Sequence, residues 1–172
     1  GRVLCCEPNP AVAAALAATL RINNLGQAQV VPVAVSDADG DGWLAVDASD
    51  SGQSRLAAGG IAVPLRALDS LVAEHALDRL DLVKIDVEGH EAAVLAGATR
   101  TLKRLRPALI FESGHETPGD RNRIADLLQR FAYDTIAVLH HHGALPCASA
   151  DYRAAAGACA GSEARNVVTL PL

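Results

Sequence analysis

Short apolar runs that each stop at an acidic residue set the frame for this chain. "RVLCC" (Arg2 to Cys6) stops at Glu7, "LDLVKI" stops at Asp86, and "ALIF" stops at Glu112. A further run, "AQVVPVAV" (Ala28 to Val35), leads into Ser36 and Asp37. Such runs are too short for buried helices, and segments of helical spacing lie between them. The pattern predicts strands alternating with helices, and hence an α/β fold with a mostly parallel sheet. Ligands bind such sheets beyond the carboxyl ends of the strands. If the strands lie side by side, the acids share one rim.

The elements follow from local chemistry. Asn9 is a helix N-cap and Pro10 suits the first helical position, where a missing N–H costs nothing. Val12, Leu16 and Leu20 recur at helical spacing, and Gly26 after Asn23-Asn24 reads as the stop. Pro32 removes a ladder donor and assigns 28–35 to a sheet edge. "DADGDG" (Asp37 to Gly42) is a turn cluster, and "WLAVD" and "IAVPL" are expected to pair around the Ser- and Gly-rich segment 49–60. Helices are expected from about Leu68, over 90–105 up to the break at Pro107, and over 121–131. "LDLVKI" and "ALIFE" read as buried strands. "YDTIAVL" and "NVVTL" complete the strands, separated by an Ala-, Gly- and His-rich loop over 140–164. The 172 residues suit a single domain.

Composition excludes several function classes. A net charge of −5 with scattered basic residues argues against a nucleic-acid surface. No apolar stretch is long enough for a membrane span, and no signal-peptide pattern opens the chain. The four cysteines lack C-x-x-C spacing, so reduced thiols in a cytoplasmic protein are expected rather than a disulfide framework, with a Cys147–Cys159 bridge the lesser alternative. Aromatics are 3% of the chain, so an aliphatic core is expected. The fingerprints G-x-G-x-x-G, G-x-x-x-x-G-K-[ST] and G-x-S-x-G are all absent.

The rim acids are the candidate site. Glu7, at a strand end before a capped helix, can accept hydrogen bonds from the vicinal hydroxyls of a ribose, or can help cap that helix. Asp86 can orient a substrate hydroxyl or cap the helix that starts near His90. Gly89 permits a tight turn that brings Asp86 and Glu88 to one side, and Lys84 can pair with a neighbouring acid. His90 and His115 are candidate proton acceptors, with a structural or solvent-facing role the plainer alternative. His140-His141-His142 makes a poor ligand set, because alternate residues of an extended chain face opposite ways. Asp86, Glu88 and Glu112 offer oxygen ligands that suit Mg²⁺, although nothing in the pattern demands a metal.

In order and spacing, "VLCCEPNP", "VPVAVSDADG", "GQSRL", "VPLRALDSL", "DLVKIDVEGHEAAVLAGATRTL" and "RPALIFE" resemble the FkbM family of S-adenosylmethionine-dependent methyltransferases. The resemblance covers Arg2 to Glu112 strongly. It implies a class I methyltransferase (Rossmann-like) fold, with helices on both faces of a sheet of strand order 3-2-1-4-5-7-6. It also implies O-methylation of a hydroxyl on a sugar or secondary metabolite. Carried over by position, Glu7 resembles the acid that binds the cofactor ribose, and Ser36 and Asp37 the pair beside the adenine. Asp86, Glu88 and His90 fall where the family signature lines the methyl-transfer face, with Asp86 also near the cofactor. Glu112 faces the acceptor from the next strand.

The family's first strand and its glycine-rich loop have no counterpart here, so the chain corresponds to an N-terminally truncated domain that begins at the second strand. Residues before Gly1 are therefore expected in the natural protein, and weak or no binding of S-adenosylmethionine by the 172 residues alone. A small-molecule hydroxyl acceptor is the expected partner. The rival readings are a catalytically inactive binding or scaffold module, which the missing loop supports, and an NAD-dependent oxidoreductase, since Glu7 would serve an NAD ribose equally well.

Overall fold

Asn9 and Pro10 start the first helix as their chemistry predicts. The Asn9 side chain accepts the Ala11 N–H at 3.1 Å, with Pro10 at the first helical position. The computed structural model describes residues 1–46, 54–114, 116–140, 143–154 and 165–172. These form two compact units, Gly1–Ala67 and Leu68–Leu172.

In the first unit, β1 (Val3–Cys6) and β2 (Ala28–Val31) pair in parallel, joined by α1 (Pro10–Ile22). The left-handed residue after α1 is Asn24, at φ 55°, and not Gly26. Asn tolerates this conformation better than most residues because its short side chain bonds locally. The run 28–35, expected as one strand, is two. The Val33 N–H reaches the Val31 carbonyl at 2.9 Å across Pro32, a three-residue turn whose central φ proline supplies. Beyond it, β3 (Ala34–Ser36) enters a second sheet of order β3-β6-β4-β5, with β4 (Gly40–Ala45), β5 (Arg55–Ala57) and β6 (Ile61–Ala67). β4 and β6 pair antiparallel, as expected for "WLAVD" and "IAVPL". Ala34, Leu44 and Val63 form the core beneath that sheet.

The second unit runs α2 (Leu68–Glu74), β7 (Leu82–Ile85), α3 (Glu91–Ala96), α4 (Thr99–Arg104), β8 (Ala108–Ser113), α5 (Pro118–Arg130), β9 (Tyr133–His140), β10 (Gly143–Pro146), α6 (Ser149–Ala154) and β11 (Arg165–Pro171). Its sheet has the order β10-β9-β11-β8-β7. The core is aliphatic as expected, with Leu95, Leu102, Leu109 and Ile124 all at 0% exposure. Phe111, Tyr133 and Tyr152 are the aromatic exceptions, and Phe111 and Tyr152 meet edge to face at 5.8 Å.

Four further expectations are corrected. The sheet is not mostly parallel: the described strands form three sheets, and in the second unit only β7 and β8 pair in parallel. A short connection such as that between β9 and β10 permits only antiparallel pairing. The neighbours nevertheless follow the expected partial orders, β1-β2 for strands 2-3 and β7-β8-β11-β9 for 4-5-7-6. "LVKI" is not a buried strand, because β7 is the edge of its sheet and Leu82 is 50% exposed. The helix expected over 90–105 is two. Its second part is capped from outside by Asp69, whose carboxylate accepts the N–H of Arg100 at 2.8 Å and of Thr101 at 2.7 Å. Finally, Cys147 is disulfide-bonded while Cys5 and Cys6 are free, so the expectation of reduced thiols fails at Cys147. Among the described residues no helix is long and apolar enough to cross a membrane.

Candidate functional site

Strand register builds the site of the second unit. Ile85 and Phe111 are partners in the parallel pair β7–β8, so Asp86, just past the end of β7, and Glu112, near the end of β8, lie at the same level. Alternation along β8 buries Leu109, Phe111 and Ser113 on one face and puts Glu112 on the other. After Asp86 the chain turns through Glu88 at φ 50° and Gly89 at φ 91°. Gly89 allows the turn, as its sequence position suggested. The turn carries the Glu88 side chain back towards the strand ends, and the carboxylates of Asp86, Glu88 and Glu112 each offer an oxygen within 4.8 Å of the others.

Lys84 pairs with Asp86 at 2.9 Å, as its place in the strand suggested. Asp86 is exposed; Glu88 and Glu112 are half-buried. Asp86 makes no capping bond to α3. His90 is the N-cap residue of α3 without a side-chain capping bond, and it lies outside the three-carboxylate group. His115, His141 and His142 lie outside the described residues. A group of oxygens this close can accept hydrogen bonds from substrate hydroxyls, take up a proton, or hold a hard cation.

In the first unit the candidate residues sit at the ends of β1 and β3. Glu7 Oε1 accepts the Asn9 N–H at 2.7 Å, which is the capping role weighed against ribose binding. Ser36 is buried, and its hydroxyl donates to Asp37 Oδ1 at 3.0 Å. Asp39 ties the same turn to β6 by accepting the Ala67 N–H at 2.8 Å.

The Methyltransferase FkbM domain model matches residues 1–145. The chain belongs to the FkbM methyltransferase family. A crystal structure of Methyltransferase FkbM from Methylobacillus flagellatus KT resembles it with a TM-score of 0.54 and 20% identity, over 74% of this chain and 30% of that one. At that identity the likeness establishes the fold alone, and this chain spans well under half the length of that relative. No curated protein sequence matches significantly.

Sequence reasoning assigned no role to two buried carboxylates in this FkbM domain. Glu91, 2% exposed, opens α3 and accepts the Gly89 N–H at 3.2 Å. Burial raises its pKa, against the backbone N–H groups of Glu91, Gly89 and Val87, which lower it; Glu116 adds to the rise. Glu116, its side chain 1% exposed, pairs with Arg121 at 2.9 Å and accepts the Ser113 hydroxyl at 2.6 Å and the Gly114 N–H. Burial pushes its pKa up, but these hydrogen bonds and Arg121 prevail and hold it low. The acid cluster of "DVEGHE" drew attention to Glu88 and away from Glu91. Glu116 had no sequence signal, because its partners come from a loop and from α5.

Asn166, the register partner of Glu112 on β11, buries its Oδ1 without a hydrogen bond.

Proposed function

We propose that this chain belongs to an S-adenosylmethionine-dependent O-methyltransferase that acts on a hydroxyl of a sugar or secondary metabolite. Family membership supports methyl transfer, and the convergence of Asp86, Glu88 and Glu112 within 4.8 Å is the observation that carries the hydroxyl acceptor. We read the strand order of each unit by itself as in keeping with a class I, Rossmann-like fold with helices on both faces.

Glu7 fits the cofactor. Its bond to Asn9 uses one lone pair of Oε1 and orients the group, and a carboxylate offers about four lone-pair sites, enough for the vicinal ribose hydroxyls. Ser36 and Asp37 would hold the adenine end. When bound, S-adenosylmethionine supplies a methyl group on a cationic sulfur, open to attack by a nucleophilic oxygen.

The chain's own residues then have distinct tasks. Asp86, held by Lys84, orients polar groups at the strand end. Glu88 or Glu112 accepts the hydrogen bond of the acceptor hydroxyl and takes its proton as the oxygen becomes a nucleophile. Fixing the hydroxyl in one position supplies most of the acceleration. His90 is the alternative proton acceptor.

A second reading, a binding or scaffold module without activity, has support in the structural task that Glu7 already performs at Asn9. Calorimetric titration of S-adenosylmethionine into these 172 residues, into the same chain extended upstream, and into the Glu7→Ala variant of the extended chain separates the two. Binding by the extended chain that weakens in the variant supports the methyltransferase. No binding by either chain supports the scaffold.

A further inference from the structure

Glu88 adopts φ 50° and Gly89 φ 91°, two consecutive left-handed residues, the first of which is not glycine. An L residue is strained there, and such strain persists only where the surroundings impose it. The closing bond of the turn, from the His90 N–H to the Val87 carbonyl, is long at 3.3 Å. His90, the N-cap residue, makes no side-chain capping bond to α3. The next residue adds a second tie to the turn: Glu91 Oε1 accepts the Gly89 N–H at 3.2 Å.

We infer that Glu91 is the positioning residue of the acid cluster: its buried carboxylate ties down the turn at the Gly89 N–H and so sets Asp86 and Glu88 against Glu112. The consequence for catalysis rests on the methyltransferase reading; the effect on the turn does not.

A plain helix cap is the alternative, and two observations speak against it. A cap is ordinarily supplied at the N-cap position by a short polar side chain that satisfies N–H groups of the first turn. Here the acid stands one residue inside the helix and reaches back to Gly89, outside it. Glu91 is also only 2% exposed, and no cation pairs with its carboxylate among the described residues. Burying a carboxylate without a cation is costly, and the Gly89 N–H offsets part of that cost. Glu116, the nearby acid that adds to its electrostatic burden, is itself neutralised by Arg121.

The test compares Glu91→Ala, Glu91→Gln and Leu95→Ala in the full chain. Leu95, on the same helix and fully buried, controls for lost packing. Amide exchange of Gly89, turnover and the dissociation constant of S-adenosylmethionine are measured for each. Glu91→Ala is expected to lose Gly89 protection and to lower kcat about a hundredfold, the scale of an ångström-level misplacement, with cofactor binding unchanged. Glu91→Gln, which keeps one acceptor oxygen, recovers part of both. Leu95→Ala lowers the melting temperature and leaves Gly89 protection and kcat near wild type.

Wild-type Gly89 protection in a folded Glu91→Ala protein overturns the inference. If Glu91→Ala does not fold, Glu91→Gln decides: full Gly89 protection and full kcat overturn it, and partial loss supports it. If the wild-type protein transfers no methyl group, the functional reading fails, and Gly89 exchange alone decides the role of Glu91.

Discussion

Ile85 of β7 and Phe111 of β8 are register partners in a parallel pair, and this places Asp86 and Glu112 side by side near the strand ends. No local signal in "KID" or "IFE" specifies that alignment. Once it exists, a single tight turn suffices to bring Glu88 to the same place, and three acids separated by up to 26 positions become one group.

Neutralising Glu112 tests its role directly. Glu112→Gln keeps the shape of the side chain but cannot take up the proton of a hydroxyl. If Glu112 is the acceptor, kcat falls by about 10²- to 10⁴-fold while S-adenosylmethionine binding is unchanged. Equal activity in single-turnover assays transfers the role to Glu88 or His90.

Arg121→Met leaves Glu116 buried without its cation. Breaking a buried pair in this way costs about 3–5 kcal/mol, whereas removing both charges is far milder. Urea denaturation is expected to show a strongly destabilised Arg121→Met protein and substantial recovery in Arg121→Met/Glu116→Gln. Equal stability of Arg121→Met and wild type would show that Arg121 contributes nothing to holding Glu116.

Acid is expected to unfold the second unit through Asp69 and Glu116. For Asp69, burial raises the pKa, but hydrogen bonds from Arg100 and Thr101 outweigh it, so the folded carboxyl lies below its ordinary value. Glu116 is lowered as well. Groups depressed in this way stabilise the fold above their unfolded pKa, about 4, and that stability is lost as pH falls through their folded values. Glu91 is raised, so its cost applies at neutral pH and is relieved in acid. Melting temperatures measured from pH 7 downward should therefore drop steeply for wild type and less steeply for Asp69→Asn.

Cys147 should resist alkylation under denaturing, non-reducing conditions, while Cys5 and Cys6 react. Reductant should open Cys147 to alkylation, read by peptide mass. Labelling of Cys147 without reductant would restore the reduced, cytoplasmic state expected from composition, since disulfides persist mainly in oxidising surroundings.

What the sequence determined by itself was local. Asn9-Pro10 starts a helix, Gly89 allows a turn, and alternation along 108–113 sorts Phe111 from Glu112, because capping, φ freedom and strand periodicity depend on neighbours in the chain. The family signature is local in the same sense, being read from residue order. Tertiary structure decided the rest. Pro32 was legible as a ladder breaker, but whether it would mark an edge or divide one strand between two sheets depended on β6, which pairs with β3 thirty-one residues away. The partner of Glu116 comes from α5, and the cap of α4 comes from α2. Glu91 was visible as one acid among several. That it is the buried one, turned back to hold the site's own backbone, followed only from packing, which decides which charge leaves water and which donors it meets there.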